Sequence, residues 1–291
     1  MTANFTVGVA GSGTMGTGIA IVAARAGFPT IIFDVDAKRA DGATAQMRAF
    51  FDKSVQRGKL TEAQVEEIMS RVKTTCDINE MSPCGLVIEA IFEELEVKGQ
   101  LFSALDKVCG PDTLFASNTS TLSITEIAAR SGRDDRFVGM HFCLPAQLMK
   151  LVEMSPGLNT SPESFERAWK ICEKMGQRPV KTQDAPGFIL NYFLVPYNND
   201  AIRLVEEGIA EPAEIDKAIK GALGYAMGPM ELLDLIGLDT QVLLCEALHG
   251  VTHEPRAACP PLLRRMVAAK RLGRKTKRGF LSYETTAIFG A

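Results

Sequence analysis

Residues 5–16 read Phe-Thr-Val-Gly-Val-Ala-Gly-Ser-Gly-Thr-Met-Gly, a short apolar run that opens directly into Gly11-x-Gly13-x-x-Gly16. Few folds can use such a segment. A strand that turns at once into a helix, with its backbone against a pyrophosphate, needs a residue without Cβ at the turn. It needs another at the contact and a third where helix and strand pack. Gly11, Gly13 and Gly16 fit those places in order, with Thr14 and Met15 at the helix entrance. Met15, Ile19, Val22, Ala23 and Ala26 follow at helical spacing, and the helix they form points its positive end at the phosphates. The next apolar run, residues 30–33, ends in Asp34. A carboxylate there accepts both ribose hydroxyls of an adenosine and repels a 2′-phosphate, which favours NAD over NADP. Lys38 and Arg39 argue mildly the other way. The competing explanation for Asp34 is a cap on the helix that follows.

Alternation of short apolar runs with helical patterns continues downstream. Strands are expected at 72–75, 86–88, 114–116 and 137–140, and helices at 40–55, 62–69 and 94–108. Residues 151–154 and 179–181 read as closing strands around a helix at 163–175. This is an α/β pattern, a Rossmann-like doubly wound parallel sheet whose ligands sit beyond the strand C-termini. From Pro186-Gly187 onward the strand pattern stops, and only helix-like segments remain, at 188–207, 212–223 and 230–248. The expected organisation is therefore a nucleotide-binding domain over 1–184 and an all-α domain over 185–291.

Bulk properties exclude several classes. The 291 residues, 46% of them hydrophobic, suffice for two domains with cores. A net charge of −3 gives no reason to expect nucleic acid or an anionic membrane as partner. The basic residues near the C-terminus, Arg264 to Arg278, read for the most part as a solvated face and tail. Seven scattered cysteines without a C-x-x-C pair fit reduced thiols in a cytoplasmic protein. His249 and His253 are four apart, but Gly250, Val251 and Thr252 make a poor helix between them, so no metal site is expected. With the first strand beginning so early, no signal or transit peptide is expected. The apolar stretch 188–197 is interrupted by Asn191 and Pro196 and is too short to span a bilayer.

Chemistry is expected where the strands end. The run 114–116 leads into Ser117-Asn118-Thr119-Ser120, and the run 137–140 leads into His141, the first histidine of the chain. Oxidising an alcohol by hydride loss requires a group to take the hydroxyl proton, and an imidazole titrates in the useful range. Glu153 is the nearest suitable partner for that ring. It stands within Leu151-Val152-Glu153-Met154, where a charge is costly unless paired. The plain alternative is a structural histidine beside a strand-edge glutamate. Asn191, inside an apolar segment, needs a bonding partner and reads as a group that holds a carbonyl or the surroundings of the histidine. Cys143 reads as a small buried hydrophobe rather than a nucleophile.

Taken together these residues resemble the L-3-hydroxyacyl-CoA dehydrogenase family, closest to the short 3-hydroxybutyryl-CoA dehydrogenases. The resemblance runs through Gly11 to Gly16, Val87-Ile88-Glu89-Ala90, Ala116 to Ser120, Gly139 to Phe142, Met149 to Glu153 and Pro186 to Asn191. It continues through Met227-Gly228-Pro229 with Glu231 and Asp234, Gly237-Leu238-Asp239, Gly273 to Thr276 and Gly279-Phe280. It implies reversible NAD-linked oxidation of a 3-hydroxyacyl-CoA, as in fatty acid metabolism, with His141 as general base and Glu153 orienting it. It implies that Ser120 and Asn191 hold the substrate, that Asp34 holds the ribose, and that Glu93, Lys98, Ser120 and Lys275 lie around the cofactor. It also implies a homodimer through the helical domain, to which the apolar run Leu232, Leu233, Leu235, Ile236, Leu238 is suited. Positive charge for the CoA phosphates is available at Lys53, Arg57 and Lys59, with Ser54, although solvation explains those residues equally well.

Two departures bear on efficiency. Leu144 stands where the family usually has an asparagine that contacts the cofactor side, a loss worth about 1 kcal/mol or more if the partner is left unbonded. Tyr192 stands where an arginine commonly follows Asn191. Two other functions are compatible with these motifs: a dehydrogenase of a hydroxy acid without CoA, as in the gulonate dehydrogenase relatives, and an NAD-binding protein of little catalytic power.

Overall fold

The apolar run at the start forms β1 (Thr6–Ala10), buried along its length, and the glycine turn delivers the chain into α1 (Thr14–Arg25). The structure is a computed structural model and describes residues 5–283. β2 (Thr30–Phe33), α2 (Ala37–Gln56), α3 (Glu62–Met69) and β3 (Val72–Thr75) follow. Then come β4 (Cys84–Glu89), α4 (Leu95–Val108), β5 (Leu114–Ser117), α5 (Ile124–Ala128) and β6 (Phe137–Phe142). β7 (Leu151–Pro156), α6 (Pro162–Lys174) and β8 (Arg178–Lys181) complete one sheet in the order β3-β2-β1-β4-β5-β6-β7-β8. The order reverses at β1, which pairs in parallel with β2 on one side and β4 on the other. That reversal opens the crevice above the C-terminal ends of β1 and β4, the usual seat of a nucleotide. Ile19, Val22 and Ala23 of α1 are fully buried and share a core with Val9, Ile32, Ile88 and Met140. Burying each of the larger side chains contributes about 1.5–3 kcal/mol.

The sheet is mostly parallel, as the sequence pattern predicts, with one exception at its far side. β7 runs antiparallel to β6, and β8 is parallel to β7. Covalent reach explains the reversal. Parallel neighbours need a crossover of about a dozen residues or more, and the connection 143–150 is too short for one. The strand β6 also extends beyond the expected 140 to Phe142, so His141 lies within it rather than past its end. The antiparallel register sets His141 directly opposite Glu153.

A first unit ends at Ala185 and a second begins at Pro186. The second contains α7 (Leu190–Glu206), α8 (Pro212–Leu223), α9 (Pro229–Ile236), α10 (Leu238–Thr252) and α11 (Pro261–Ala268). Its core is built from Val195, Ile202, Met230, Leu233, Cys245 and Leu263 among others. Pro196 sits inside α7 rather than ending it. The expected helix over 230–248 is two helices, parted at Gly237, whose φ of 102° suits only glycine. α10 continues through Gly250, Val251 and Thr252 in spite of their poor propensity, and His253 ends it in the left-handed conformation. Burial of Leu248 and Cys245 on that helix supplies what local propensity lacks. Asp216 receives the Met230 and Glu231 N–H groups at the start of α9, and Asp234 receives the N–H groups of Phe280 and Leu281 with the Tyr283 hydroxyl. Among the described residues no helix is long and apolar enough to cross a membrane.

Candidate active site

The glycine turn has the geometry of a phosphate cradle. Gly11 has φ of 105°, and a Cβ on it would lie 2.5 Å from the Ala90 carbonyl oxygen. At Gly16 a Cβ would fall 1.8 Å from the Gly11 carbonyl oxygen, so the helix can start this close to the strand only with glycine. Gly13 differs: a Cβ there would meet nothing within 4 Å. Its bareness serves nothing inside the chain and leaves open space beside the first N–H groups of α1, where Gly13 and Thr14 are exposed. Gly13 is the N-cap of α1 and no side chain caps the helix, so its N-terminal donors and positive dipole face outward. A pyrophosphate fits this arrangement.

Asp34 sits at the end of β2 and is buried. Its Oδ2 accepts from the Ser12 N–H at 2.9 Å and the Ser12 hydroxyl at 2.6 Å, and its Oδ1 accepts from the Asp36 N–H at 3.0 Å. Burial pushes this carboxyl up, but the Ser12 hydroxyl, the two N–H groups and Arg39 outweigh it and hold the carboxyl below its usual range. Asp34 is thus an ionised acceptor beside the turn. The cap of α2 is Asp36, which accepts from the Lys38 and Arg39 N–H groups, so capping does not account for Asp34.

At the other strand ends the structure brings Ser120, His141 and Glu153 together. His141 Nδ1 lies 2.8 Å from Glu153 Oε2, and its Nε2 lies 3.1 Å from Ser120 Oγ. His141 and Glu153 are 7% and 2% exposed, so the carboxylate acts on the ring in a site where water scarcely screens it. In the neutral ring, a proton on Nδ1 faces the Glu153 carboxylate and Nε2 is the nitrogen turned to Ser120. Asn118 Oδ1 accepts from the Phe142 N–H at 2.8 Å and ties the loop after β5 to the end of β6. Cys143 is buried and its thiol is pushed up to about 11, first by burial and then by Glu153, so it stays protonated and is no nucleophile.

Behind Ser120 lies a group of charges. Glu93 Oε1 accepts from the Thr119 hydroxyl at 2.5 Å, the Ser120 N–H at 2.8 Å, and the Thr121 N–H and hydroxyl, both at 3.1 Å. Its Oε2 lies 3.2 Å from Lys98 Nζ. Burial raises the Glu93 carboxyl, but Lys98 and the hydroxyl and N–H donors prevail and hold it low. Lys98 is 1% exposed, on the core face of α4, and its Nζ lies 2.5 Å from Glu89 Oε1. The structure therefore places Lys98 beneath Glu93, without a surface of its own for a cofactor to touch. Burial pushes the Glu89 carboxyl up, against the opposing pull of Lys98, Ser117 and the Ile91 N–H. Sequence reading gave Glu89 no role, although the signal was the one used for Asp34: an acid ending a buried strand. Lys98 also carried a signal, a charge among Leu95, Phe102 and Leu105 at helical spacing.

The remaining expected residues lie elsewhere. Asn191 is buried in the first turn of α7, its N–H donating to the Gly187 carbonyl, and so stands at the helix start rather than inside the segment. In the same unit Lys275 Nζ lies 2.5 Å from both Asp239 carboxylate oxygens, with Gly237 packed against it. Ser54 and Lys59 meet at the end of α2, where the Ser54 hydroxyl donates to the Phe50 carbonyl and the Ser54 carbonyl accepts from the Lys59 N–H. Leu144 is 39% exposed just past β6. His249 and His253 rings stand 6.2 Å apart, and among the described residues no group of three or more His, Cys, Asp or Glu side chains could hold a metal ion.

Comparison with known proteins gives a consistent pattern. The model of the 3-hydroxyacyl-CoA dehydrogenase NAD binding domain matches residues 6–185, and that of the 3-hydroxyacyl-CoA dehydrogenase C-terminal domain matches residues 187–283. A protein of Bacillus subtilis named probable 3-hydroxybutyryl-CoA dehydrogenase is 42% identical over 276 residues, 95% of this chain and 96% of its own. The crystal structure of an (S)-3-hydroxybutyryl-CoA dehydrogenase from Ralstonia eutropha matches with a TM-score of 0.90 and 36% identity, covering 96% of this chain and 99% of that one. FadB2 of M. tuberculosis matches with a TM-score of 0.94 and 38% identity, covering 97% of this chain and all of that one.

Proposed function

The chain belongs to the 3-hydroxyacyl-CoA dehydrogenase family, NAD-dependent oxidoreductases, and from that premise we propose that it interconverts a short L-3-hydroxyacyl-CoA, such as 3-hydroxybutyryl-CoA, and the 3-ketoacyl-CoA. The observation that carries the mechanism is the Ser120–His141–Glu153 arrangement. NAD, when bound, takes up the hydride that leaves C3 of the substrate. The chain's part is the proton. His141 Nε2 accepts it from the substrate hydroxyl, Ser120 holds that hydroxyl and the ring in line, and Glu153 stabilises the imidazolium that forms. In the reducing direction the same imidazolium returns the proton to the ketone oxygen. By the family resemblance Gly11, Gly13, Thr14, Met15, Gly16 and Asp34 are assigned to the cofactor, with Glu93, Ser120 and Lys275 around it, while Lys98, buried beneath Glu93, acts on it only through that carboxylate. Asn191, Ser54 and Lys59 are assigned to the acyl-CoA. Seven free cysteines suit a reducing cytoplasm, and the helical unit is read as the surface of a homodimer.

NADH oxidation tested with acetoacetyl-CoA and with free acetoacetate is the deciding assay. The reading predicts turnover of the thioester with at most a trace for the free acid. Equal rates would point to a hydroxy acid without CoA, and no turnover of either would leave a nucleotide-binding protein.

A further inference from the structure

The charges behind Ser120, Glu89 and Lys98 buried and Glu93 at the surface, form a closed ring that the proton transfer described above does not use. Glu89 Oε1 meets Lys98 Nζ at 2.5 Å, Lys98 meets Glu93 Oε2 at 3.2 Å, and Glu93 Oε1 accepts from the Thr119 hydroxyl at 2.5 Å. The Thr119 N–H donates to Ser117 Oγ at 3.2 Å, and the Ser117 hydroxyl donates to Glu89 Oε2 at 2.6 Å, which closes the circuit. The Ile91 N–H adds a third donor to Glu89, at 2.7 Å. The Lys98 ammonium and the Ile91 N–H both point at Glu89 Oε1, and against the upward push of burial this pairing suits the ionised carboxylate. Stability does not explain such a group. Desolvating the Glu89 carboxylate and the Lys98 ammonium roughly cancels what their pairing returns, and apolar side chains of similar volume would serve a core as well. What the ring does supply is position: it grips residues 117, 119, 120 and 121 from two directions, and Ser120 Oγ is the atom facing His141 Nε2.

We propose that Glu89 is a positioning residue of this enzyme, whose carboxylate, acting through Lys98 and Glu93 on one side and Ser117 on the other, sets Ser120 against His141. The role rests on the reading of Ser120 and His141 given above. Glu89 is 0% exposed and touches no reacting atom, so it acts wholly through the loop it holds. Replacing it with glutamine keeps the shape but removes the charge that balances Lys98. Lys98 is then left to Glu93 alone, and the four donors gathered by Glu93 Oε1 lose their fixed anchor.

The test is a double-mutant cycle on the full-length enzyme, comparing wild type, Glu89→Gln, Ser120→Ala and the double variant in acetoacetyl-CoA reduction. Glu89→Gln is expected to lower kcat about 10- to 100-fold, the scale of a displacement near 1 Å, with KM for acetoacetyl-CoA and NADH changed less than about three-fold. In the Ser120→Ala background the same substitution is expected to have little further effect, because the side chain it positions is gone. A structural role alone would multiply the two losses. A Ser120→Ala enzyme with wild-type kcat would overturn the reading of the site and this role with it. A clear Ser120→Ala loss beside an unaffected Glu89→Gln, an effect confined to KM, or independent losses would overturn the role of Glu89 alone. If Glu89→Gln does not give soluble enzyme, Ser117→Ala opens the same ring from its other side and is judged by the same outcomes.

Discussion

Leu144 is a side chain that would tune the proposed site without belonging to its proposed proton-transfer pair. It follows β6 by two residues and leaves an apolar surface, 39% exposed, where the family resemblance expects an amide facing the cofactor. Leucine offers no hydrogen bond, so a cofactor group that would have met the amide must turn to water or go without. Leu144→Asn is expected to raise kcat/KM for NADH by roughly five-fold, corresponding to about 1 kcal/mol for one recovered hydrogen bond. Steady-state kinetics at varied NADH checks this, and an unchanged or lower value would mean that the position does not face the cofactor. At this scale the sequence showed the candidate atoms but not their surroundings. Asp34 was legible because the glycine turn, the strand and the acid stand in one stretch of chain. The grip of Glu93 on residues 119–121 was not, because its donors arrive from the loop after β5 and no spacing within α4 or its entry loop reports them.

Among the elements, the informative case is β7. A short connection forces it to run against β6, and this reversal places Glu153 opposite His141 in the ladder. Both residues could be chosen from sequence, yet their pairing depends on strand direction and register, which a pattern of apolar residues leaves open. The helices of the second unit present the converse. Two members of the apolar run first assigned to a dimer contact, Leu233 and Leu238, are fully buried in the unit's own core. Apolar side chains are exposed instead at several places in the unit, among them Tyr192 at 59% and Phe193 at 67% on α7 and Leu243 at 64% and Val251 at 62% on α10. Tyr192 and Phe193 stack edge to face at 5.7 Å and border a cavity of about 740 Å³ within this unit, shared with Pro196, Tyr197, Tyr225 and Leu248. The exposed pair Tyr192 and Phe193 is the ground for proposing a subunit interface on this face. Light scattering is expected to give a dimer for the native chain and a monomer for Phe193→Asp. A native monomer would contradict this assignment, and a dimer in the variant would move the interface to another face.

For the molecule as a whole, the change from strand to helix patterns near Pro186 was plain in the sequence, and the two units divide between Ala185 and Pro186. The strands β2 and β3 and the helix α3 occupy the residues that periodicity assigned to them, because each is short, uniform and bounded by turn residues. Less legible were features decided by packing across distance, such as the reach of α10 to Thr252 and the break at Gly237. The chemistry follows the same division: composition and motifs point to a nucleotide and a proton acceptor, and only the folded sheet brings acceptor, acid and hydroxyl within hydrogen-bonding distance. The most direct measurement is therefore the turnover of His141→Ala with acetoacetyl-CoA, made alongside NADH binding by fluorescence. Loss of the proposed general base is predicted to lower kcat by about 10²- to 10⁴-fold while the Kd for NADH stays within a few-fold of wild type. Turnover near the native rate would contradict the account, because it would show that the imidazole at the end of β6 does not carry the proton.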